Sequence, residues 1–297
     1  MSFRGPPPLP RSLHTTLSTH TGPVHVARYA KGAAKYLLTG GQDRTIRLWN
    51  PNLGTEIKVY KGHGYEVLSI TISPDNAKIA SSGGDRSVFL WDVATGNAIR
   101  RIPGHLARIN AVEFNEDASV VASGSYDSTV KLWDLRAQNR QPIQTLDEAR
   151  DAIQTLFVGS TCIMSGSVDG HVHPVTSVLP TSDAQTYLIQ SLNSTIILMD
   201  AENGKLLNSF KGHTNNLYRS RACFGHAEAS VISGDEDGRI WAWDLVEGSP
   251  LAPNPPPKVH DKLITWIEHH PKEGNEMVTA SSDGTVKVWK TPDNTDS

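Results

Sequence analysis

Short runs rich in β-branched and aromatic residues alternate along most of the chain with brief turns of Gly, Asp, Ser and Asn. Within the runs, apolar and polar residues alternate, as in TVKLWD at 129–134. A period of two is typical of a β-strand with one buried face, whereas an amphipathic helix has a period near 3.6. The pattern predicts an all-β fold of many short strands joined by tight turns.

The strands recur at a regular interval. Each copy places a polar turn between two β-rich runs, and the turn residues are Asp43, Asp85, Asp127, Asp169, Asn193, Asp237 and Asp283. Their separations are 42, 42, 42, 24, 44 and 46 residues. Five of the six agree with the roughly 40–45 residues of a four-stranded propeller blade. The sequence therefore predicts a β-propeller of seven nominal blades over residues 11–290, between a Pro-rich flexible tail at 1–10 and a second flexible tail at 291–297.

Four polar or aromatic side chains recur with five of these turns. A His lies 22–24 residues before the turn Asp, a Ser or Thr four residues before it, and a Trp six residues after it. An indole N–H can donate to the hydroxyl, the hydroxyl to one imidazole nitrogen, and the other imidazole N–H to the carboxylate. The five predicted tetrads are His20, Thr39, Asp43, Trp49; His63, Ser81, Asp85, Trp91; His105, Ser123, Asp127, Trp133; His213, Ser233, Asp237, Trp243; and His260, Thr279, Asp283, Trp289.

Ser, His and Asp together could also form a hydrolase triad. The set occurs five times, whereas an enzyme needs one active site, so we interpret it as a structural strut. No phosphate-binding loop, nucleophile elbow or Cys-x-x-Cys pair is present, and His171 and His173 have no third ligand at a suitable spacing. We predict no catalytic residue, no metal site and no cofactor.

The interval of 24 residues before Asn193 is about 18 residues short. The third and fourth strands of blade four, with its Trp, are missing from the sequence, so residues 152–169 should form a two-stranded remnant. The last blade has no fourth strand of its own after Trp289. The alternating segment 11–19 should supply that strand and close the ring.

Composition limits the classes of partner and the cellular compartments that we expect for this protein. Lys and Arg number 28 against 31 Asp and Glu, a formal charge of -3 that argues against a protein devoted to nucleic-acid phosphates. The sequence shows neither a secretory signal nor 18 consecutive apolar residues, and Cys162 and Cys223 do not make a disulfide framework. We expect a soluble intracellular protein with two buried thiols.

The tetrads and the 42-residue period resemble the WD-repeat family over residues 11–290. Shorter stretches resemble one branch of that family, the mitogen-activated protein (MAP) kinase organizers. They are Asn50-Pro51, GHGYEV at 62–67, TLDEARD at 145–151, SVDG at 167–170 and WDLVEG at 243–248. The resemblance implies a seven-bladed scaffold that gathers MAP-kinase cascade components, also found in spliceosomal assemblies, and residence in cytoplasm and nucleus.

Partners are expected to be proteins, bound by a monomer within larger assemblies on the face that carries the turn Asp residues, with no sequence-specific nucleic-acid or membrane binding. The predicted partner-binding residues are Arg44, Tyr65, Glu66, Arg86, Arg108, Tyr126, Glu148, Arg150, Asp151, Asn215, Tyr218 and Glu236. Aromatic and Arg side chains are the usual anchors of such interfaces.

Two further signals stay open at this point. RGPPPLPR at 4–11 is either a ligand for proline-recognising domains or a solvated tail. Residues 121–136, ending at Arg136, fit the motif by which WD-repeat receptors dock on cullin–RING ubiquitin ligases, although that motif overlaps ordinary blade sequence.

Overall fold

The computed structural model describes residues 9–137, 141–160, 162–169, 173–251 and 253–291. Strands make up almost all of the regular structure in these ranges, which hold no α-helix and a single 3-10 turn at His226–Glu228. The strands form separate antiparallel sheets, and in all but one of them the members follow one another in chain order. This is the architecture of a β-propeller.

The first three blades each have four strands. Blade one consists of β2 (Val24–Tyr29), β3 (Leu37–Gly41), β4 (Thr45–Asn50) and β5 (Thr55–Lys61), numbered after a first strand, β1 (Ser12–Leu17), that belongs to the last blade. Blade two consists of β6 (Val67–Ile72), β7 (Lys78–Gly83), β8 (Ser87–Asp92) and β9 (Ala98–Pro103). Blade three consists of β10 (Ile109–Phe114), β11 (Val120–Ser125), β12 (Val130–Asp134) and the short β13 (Gln144–Leu146).

The position of the fourth blade holds only an antiparallel pair, β14 (Ile153–Val158) and β15 (Ile163–Ser167), which we call the hairpin. The next strand, β16 (Val175–Pro180), already belongs to another sheet. The predicted two-stranded remnant is therefore confirmed. The count of seven blades is corrected: the described residues form six blades of three or four strands plus the hairpin, because the segment that would supply two more strands is absent from the sequence.

Blade five is complete although its sequence departs from the tetrad motif, with Ile189 at the hydroxyl position, Asn193 at the Asp position and Met199 at the Trp position. It contains β16, β17 (Thr186–Ser191), β18 (Thr195–Asp200) and β19 (Leu206–Lys211). Blade six has three strands, β20 (Ala222–Phe224), β21 (Ser230–Gly234) and β22 (Ile240–Asp244). Two isolated bridges, Arg239 to Lys258 and Trp243 to Pro250, mark its irregular outer edge.

The last blade joins the two ends of the propeller. Its strands are β23 (Ile264–His269), β24 (Glu276–Ser281) and β25 (Val286–Lys290), and the outer position is taken by β1 (Ser12–Leu17). Ser12 lies opposite Lys290 and Leu17 opposite Val286. The predicted closing strand is confirmed. Pro10 is buried and Leu9 packs against the core, so contact with the propeller begins ahead of residue 11, while residues 1–8 of the predicted tail lie outside the described ranges.

The cores lie inside the blades and between neighbouring blades. Trp49, Trp91 and Trp133 are each about 1% exposed or less. Between blades one and two, a Cβ placed on Gly40 would come within 2.8 Å of Ile70 and Val67, so a residue without a side chain is needed at that contact. Burial of this kind stabilises by about 25 cal/mol per Å² of apolar surface.

Candidate protein-interaction face

Strands of a blade run antiparallel, so two kinds of connection meet on one side of the ring. These are the turn between the second and third strands and the loop that leads from one blade to the first strand of the next. We call this side the loop face. It carries the turn Asp residues and nearly all the predicted partner-binding residues.

In four blades the structure brings the predicted tetrad together. In blade three, the Trp133 indole N–H donates to Ser123 Oγ at 2.8 Å, Ser123 Oγ lies 2.8 Å from His105 Nε2, and His105 Nδ1 lies 2.9 Å from Asp127. The same three contacts, at 2.5–2.9 Å, join the tetrads of blades one and two and of the last blade, which keeps its nominal number, blade seven. All four His side chains of these tetrads are buried.

Each tetrad also fixes the loop that follows its His. Asp127 accepts the backbone N–H of Leu106 at 2.8 Å, and Asp85 accepts that of Gly64 at 2.8 Å. Burial raises the pKa of Asp127, but hydrogen bonds from Thr129, the Leu106 N–H and His105 outweigh it and lower that pKa to about 2. The carboxylate is therefore charged at neutral pH and holds the loop on the loop face.

The fifth predicted tetrad is not formed, which corrects the prediction for blade six. Neither ring nitrogen of His213 has a hydrogen-bond partner among the described residues, although the side chain is 2% exposed. Trp243 donates to the Lys211 carbonyl at 3.2 Å instead of to Ser233, and Asp237 is exposed. Burial alone lowers the pKa of His213 to about 4, so the ring is neutral at neutral pH.

The fifth tetrad is not formed because of two neighbouring side chains, Asp235 and Gln190, whose positions are not part of the tetrad motif. Asp235 accepts the backbone N–H groups of Asp237 and Arg239 and the indole N–H of Trp241 at 2.7 Å, so it organises the turn in place of Asp237. Gln190, from blade five, donates to Ser233 Oγ at 3.1 Å. The Ser233 hydroxyl is hydrogen-bonded to Gln190 and the turn is held by Asp235, so neither bonds to His213.

Most predicted partner-binding residues are accessible on the loop face. Exposed side chains are Arg44, Tyr65, Arg86, Arg108, Tyr126, Glu148, Arg150, Asp151 and Tyr218, and Glu66 is half-buried. The Arg108 guanidinium lies 4.8 Å from the centre of the Tyr126 ring, which makes a cation–π pair. Glu66 contacts His25 at 3.2 Å, and this hydrogen bond lowers the pKa of Glu66.

Two of the predicted partner-binding residues differ from the exposed members of the set. The prediction for Asn215 is wrong, and Glu236 is half-buried. Asn215 is 0% exposed, since the chain turns inward after His213, and it cannot contact a partner. Glu236 is half-buried, and its Oε1 accepts the backbone N–H groups of Asn216, Leu217 and Tyr218 at 2.6–3.1 Å. Glu236 therefore holds a loop through one carboxylate oxygen, as the tetrad Asp does in the other blades.

Two arginines occupy strained turn positions on this face. Arg44 and Arg86 follow their turn Asp with φ of 65° and 54°, a region that favours glycine. Blades six and seven place Gly238 and Gly284 at the same point. A bulky side chain at a position where Gly serves elsewhere in the ring suggests that it is kept for binding.

Sequence reasoning missed Leu106 and Leu217, which are 82% and 74% exposed. Both stand in the loops that enter a blade, next to predicted residues. An apolar residue after the Gly-His pair, as in Gly104-His105-Leu106, was the available signal. With Tyr65, Tyr126 and Tyr218 they form an apolar set on the loop face, the kind of surface that marks protein interaction sites.

The loop face opens onto a central cavity of about 740 Å³, lined by the innermost strand of every sheet or by the loop before it. Arg28 lies beside it and contacts the lining residue Glu113, with Nη1 at 2.5 Å from Glu113 and Nε at 3.9 Å from Glu268. Burial disfavours its charge, but the two carboxylates outweigh that effect and raise the pKa of Arg28.

The described residues contain no group of three or more His, Cys, Asp or Glu side chains able to hold a metal ion. They also contain no helix long and apolar enough to cross a membrane. The expectation of two buried thiols is wrong for Cys162, which is exposed beside the hairpin edge. Cys223 is buried, and burial raises the pKa of its thiol to about 12.

Sequence comparison agrees with this geometry. The chain matches the WD domain, G-beta repeat family at residues 11–50, 54–92, 96–134, 204–244 and 258–290. It therefore belongs to the WD-repeat family of β-propellers, whose members are typically non-catalytic protein-interaction scaffolds. The interval 135–203, with the hairpin and nearly all of blade five, is not part of the match.

Within that family the chain is similar to WD repeat domain-containing protein 83. It is 46% identical to the rat protein over 310 residues, covering 98% of this chain and 96% of the rat chain, and 46% identical to the human protein over 301 residues, covering 96% and 94%. A Dictyostelium discoideum homologue is 28% identical over 94% of this chain. The rat alignment is longer than the 297 residues of this chain, so the rat protein has residues without a counterpart here.

Proposed function

We propose that this protein is a non-catalytic scaffold that gathers components of a MAP-kinase cascade on its loop face. The supporting observation is that Asp85 and Asp127 fix the loops that present Tyr65 and Leu106. A partner thus meets a surface already held in place, which reduces the entropy lost on binding. The resemblance of residues 62–67 and 145–151 to the MAP-kinase organizers supplies the class of partner.

The test is affinity purification from cells followed by identification of kinases. A Tyr65→Ala/Leu106→Ala variant should lose most of the recovered kinases, because it removes two exposed side chains without touching a tetrad. The matched control is Leu53→Ala, which removes a 72% exposed leucine from the loop between β4 and β5, on the opposite side of the ring. Equal kinase recovery by the two variants would contradict the proposal.

A role in pre-mRNA splicing is the second candidate, supported by the same resemblance. The same purification separates the two when it is repeated with RNase. Spliceosomal proteins that remain at constant stoichiometry after RNase treatment favour the splicing role, and kinases without spliceosomal proteins favour the cascade. Residence in both cytoplasm and nucleus is proposed with either role, and imaging of a tagged protein checks it.

A ubiquitin-ligase receptor is the third and weakest candidate. Arg136 is accessible, with a side chain 73% exposed, but it already pairs with Asp117 at 2.8 Å on the side of the ring opposite the loop face. If Arg136→Ala leaves every cullin-associated partner in place, this candidate fails.

A further inference from the structure

Charged side chains in and beside the central cavity form two groups. In the first group the positive charges face carboxylates, and in the second an arginine has no carboxylate ion pair among the described residues. The first group contains Arg28 and Arg221 together with Glu113 and Glu268, so two positive charges face two negative ones. The Arg221 guanidinium lies 4.3 Å from the centre of the Trp266 ring, and both Glu113 and Glu268 act on its charge. This group is complete without a ligand.

The second group contains Arg219 and Arg108. Arg219 extends from blade six across the cavity, and its Nη1 donates to the backbone carbonyl of Asn110 in blade three at 2.8 Å. Among the described residues it forms no ion pair with a carboxylate. Its electrostatic neighbours are Arg221 and Arg108, and burial, with these two like charges, lowers the pKa of Arg219 to about 10.

The carboxylates near this second group are already engaged. Glu66 contacts His25 at 3.2 Å and also interacts with the charge of Arg108, and Oε1 of Glu236 accepts three backbone N–H groups from residues 216–218. A guanidinium presents five N–H donors, and Arg219 uses one of its nitrogens on Asn110. The remaining donors, with the charge of Arg108 close by, make an unfilled site for an anion.

Part of the rim around this site is apolar. Tyr218 and Arg108 line the cavity, and Leu217 and Leu106 adjoin them and are strongly exposed. A free phosphate would use the charge but leave this rim unused. An acidic side chain within an apolar segment would use both.

We propose that the cavity mouth binds a segment of a partner protein in which a Glu or Asp, flanked by apolar residues, places its carboxylate on Arg219 and Arg108. This deepens the proposed function, since it names the chemistry of the partner on the same face. The apolar neighbours of the acidic residue pack on Leu106, Leu217 and Tyr218.

The test uses the full chain and two blocked synthetic peptides, Leu-Leu-Glu-Glu-Leu-Leu and the same peptide with Gln in place of Glu, measured by isothermal titration calorimetry. The Glu peptide should bind at least ten-fold more tightly than the Gln peptide. Arg219→Gln, which keeps a donor for the Asn110 carbonyl, should remove that ten-fold preference, and Arg108→Gln, at an exposed position, should weaken it. Lys35→Gln is the control for loss of a positive charge, at an exposed position between β2 and β3 on the opposite side of the ring, and should leave binding within two-fold.

Each alternative result overturns the inference. Equal binding of the two peptides, or Glu-peptide binding that survives in Arg219→Gln, rules out the carboxylate contact. Binding of inorganic pyrophosphate without binding of the Glu peptide assigns the site to a small anion. Kinase recovery that depends on Tyr65 and Leu106 but not on Arg219 and Arg108 leaves the proposed function standing and removes this inference alone.

Discussion

Blades one to three and the region from the hairpin to blade six solve the same folding problem differently. The first region has a complete tetrad in every blade, and the second has none among its described residues. Blade five still forms four strands with Ile189 and Met199 at the hydroxyl and Trp positions. Strand pairing and apolar burial are thus sufficient for a blade.

What the tetrad adds is a fixed loop on the loop face. Where it is missing, other groups do this work: Ser194 Oγ accepts the N–H of Asn215 at 2.8 Å, and Glu236 holds residues 216–218. The comparison indicates that a blade can form without the repeated polar network, which fixes the loops of the loop face where it is present.

The largest expected effect comes from completing the hairpin. Inserting about 18 blade-like residues between β15 and β16 should supply two strands and cover the apolar groove of about 660 Å³ beside Ile163, Val178 and Tyr187. At about 25 cal/mol per Å², burial of about 200 Å² of apolar surface by the two new strands adds about 5 kcal/mol, and thermal unfolding should shift upward by several degrees or more. An insertion of 18 Gly and Ser residues is the control. Equal melting of the completed and original proteins would show that the gap does not weaken the ring.

The next effect separates a His within a tetrad from one outside it. His105→Leu leaves Asp127 charged and removes the imidazole partner of Asp127 and Ser123, while Trp133 keeps Ser123 as its acceptor, and we expect a cost of about 3 kcal/mol. His213→Leu removes two unpartnered ring nitrogens and should change the free energy of unfolding by less than about 1 kcal/mol. Urea unfolding of both variants measures the difference. Similar losses in the two would mean that His213 has a partner in solution.

Acid should sharpen the same comparison. The folded pKa of His213, about 4, lies below its unfolded value of about 6.5, so between these values the unfolded chain binds the proton more readily. The stabilising effect of the neutral ring is complete above pH 6.5 and is lost as the pH falls toward 4. At pH 5 the loss is about 2 kcal/mol relative to pH 8. The stability of His213→Leu relative to the original protein should rise by this amount, and a constant difference between pH 8 and pH 5 would refute the assignment.

Blade six can also be converted toward blade three. Asp235→Ser and Arg239→Thr reproduce Ser125 and Thr129, which support Asp127 in blade three through 3.1 Å and 2.6 Å hydrogen bonds. Asp237 should then reach His213, but the Trp241 indole loses Asp235 as its acceptor, so the free energy of unfolding should change by less than about 1 kcal/mol. The chemical shifts of the His213 ring report the new bond. Unchanged shifts in the double variant would mean that Gln190 alone keeps the tetrad apart.

The smallest effect concerns the strained arginines. Arg44→Gly and Arg86→Gly relieve a positive φ and should stabilise the fold by up to about 0.5 kcal/mol each. If the side chains are kept for binding, the same variants should lower partner recovery. Ser128→Gly, at φ 67° in blade three, is the matched control for the backbone alone. A loss of stability in either arginine variant would contradict the assignment of strain.

The part of the molecule that could be predicted is the part encoded locally. The period, the turn Asp residues, the hairpin and the closing strand follow from spacing within one repeat. Blade six could not be predicted from the motif because the decisive residues, Asp235 and Gln190, stand at positions the motif leaves open. The contact of Arg219 with Asn110 joins residues 109 positions apart on opposite blades, and no repeat pattern reports it.

The pairing of β1 with β25 also sets an order of events during synthesis. The ribosome makes β1 before any other strand of the ring, yet its partner is complete only when Lys290 has been added. Through that interval β1 must wait without an edge to join, and non-local pairings of this kind form late. Of the residues of β1, only Leu17 is buried in the closed ring. The unpaired strand therefore exposes little apolar surface to chaperones and neighbouring nascent chains.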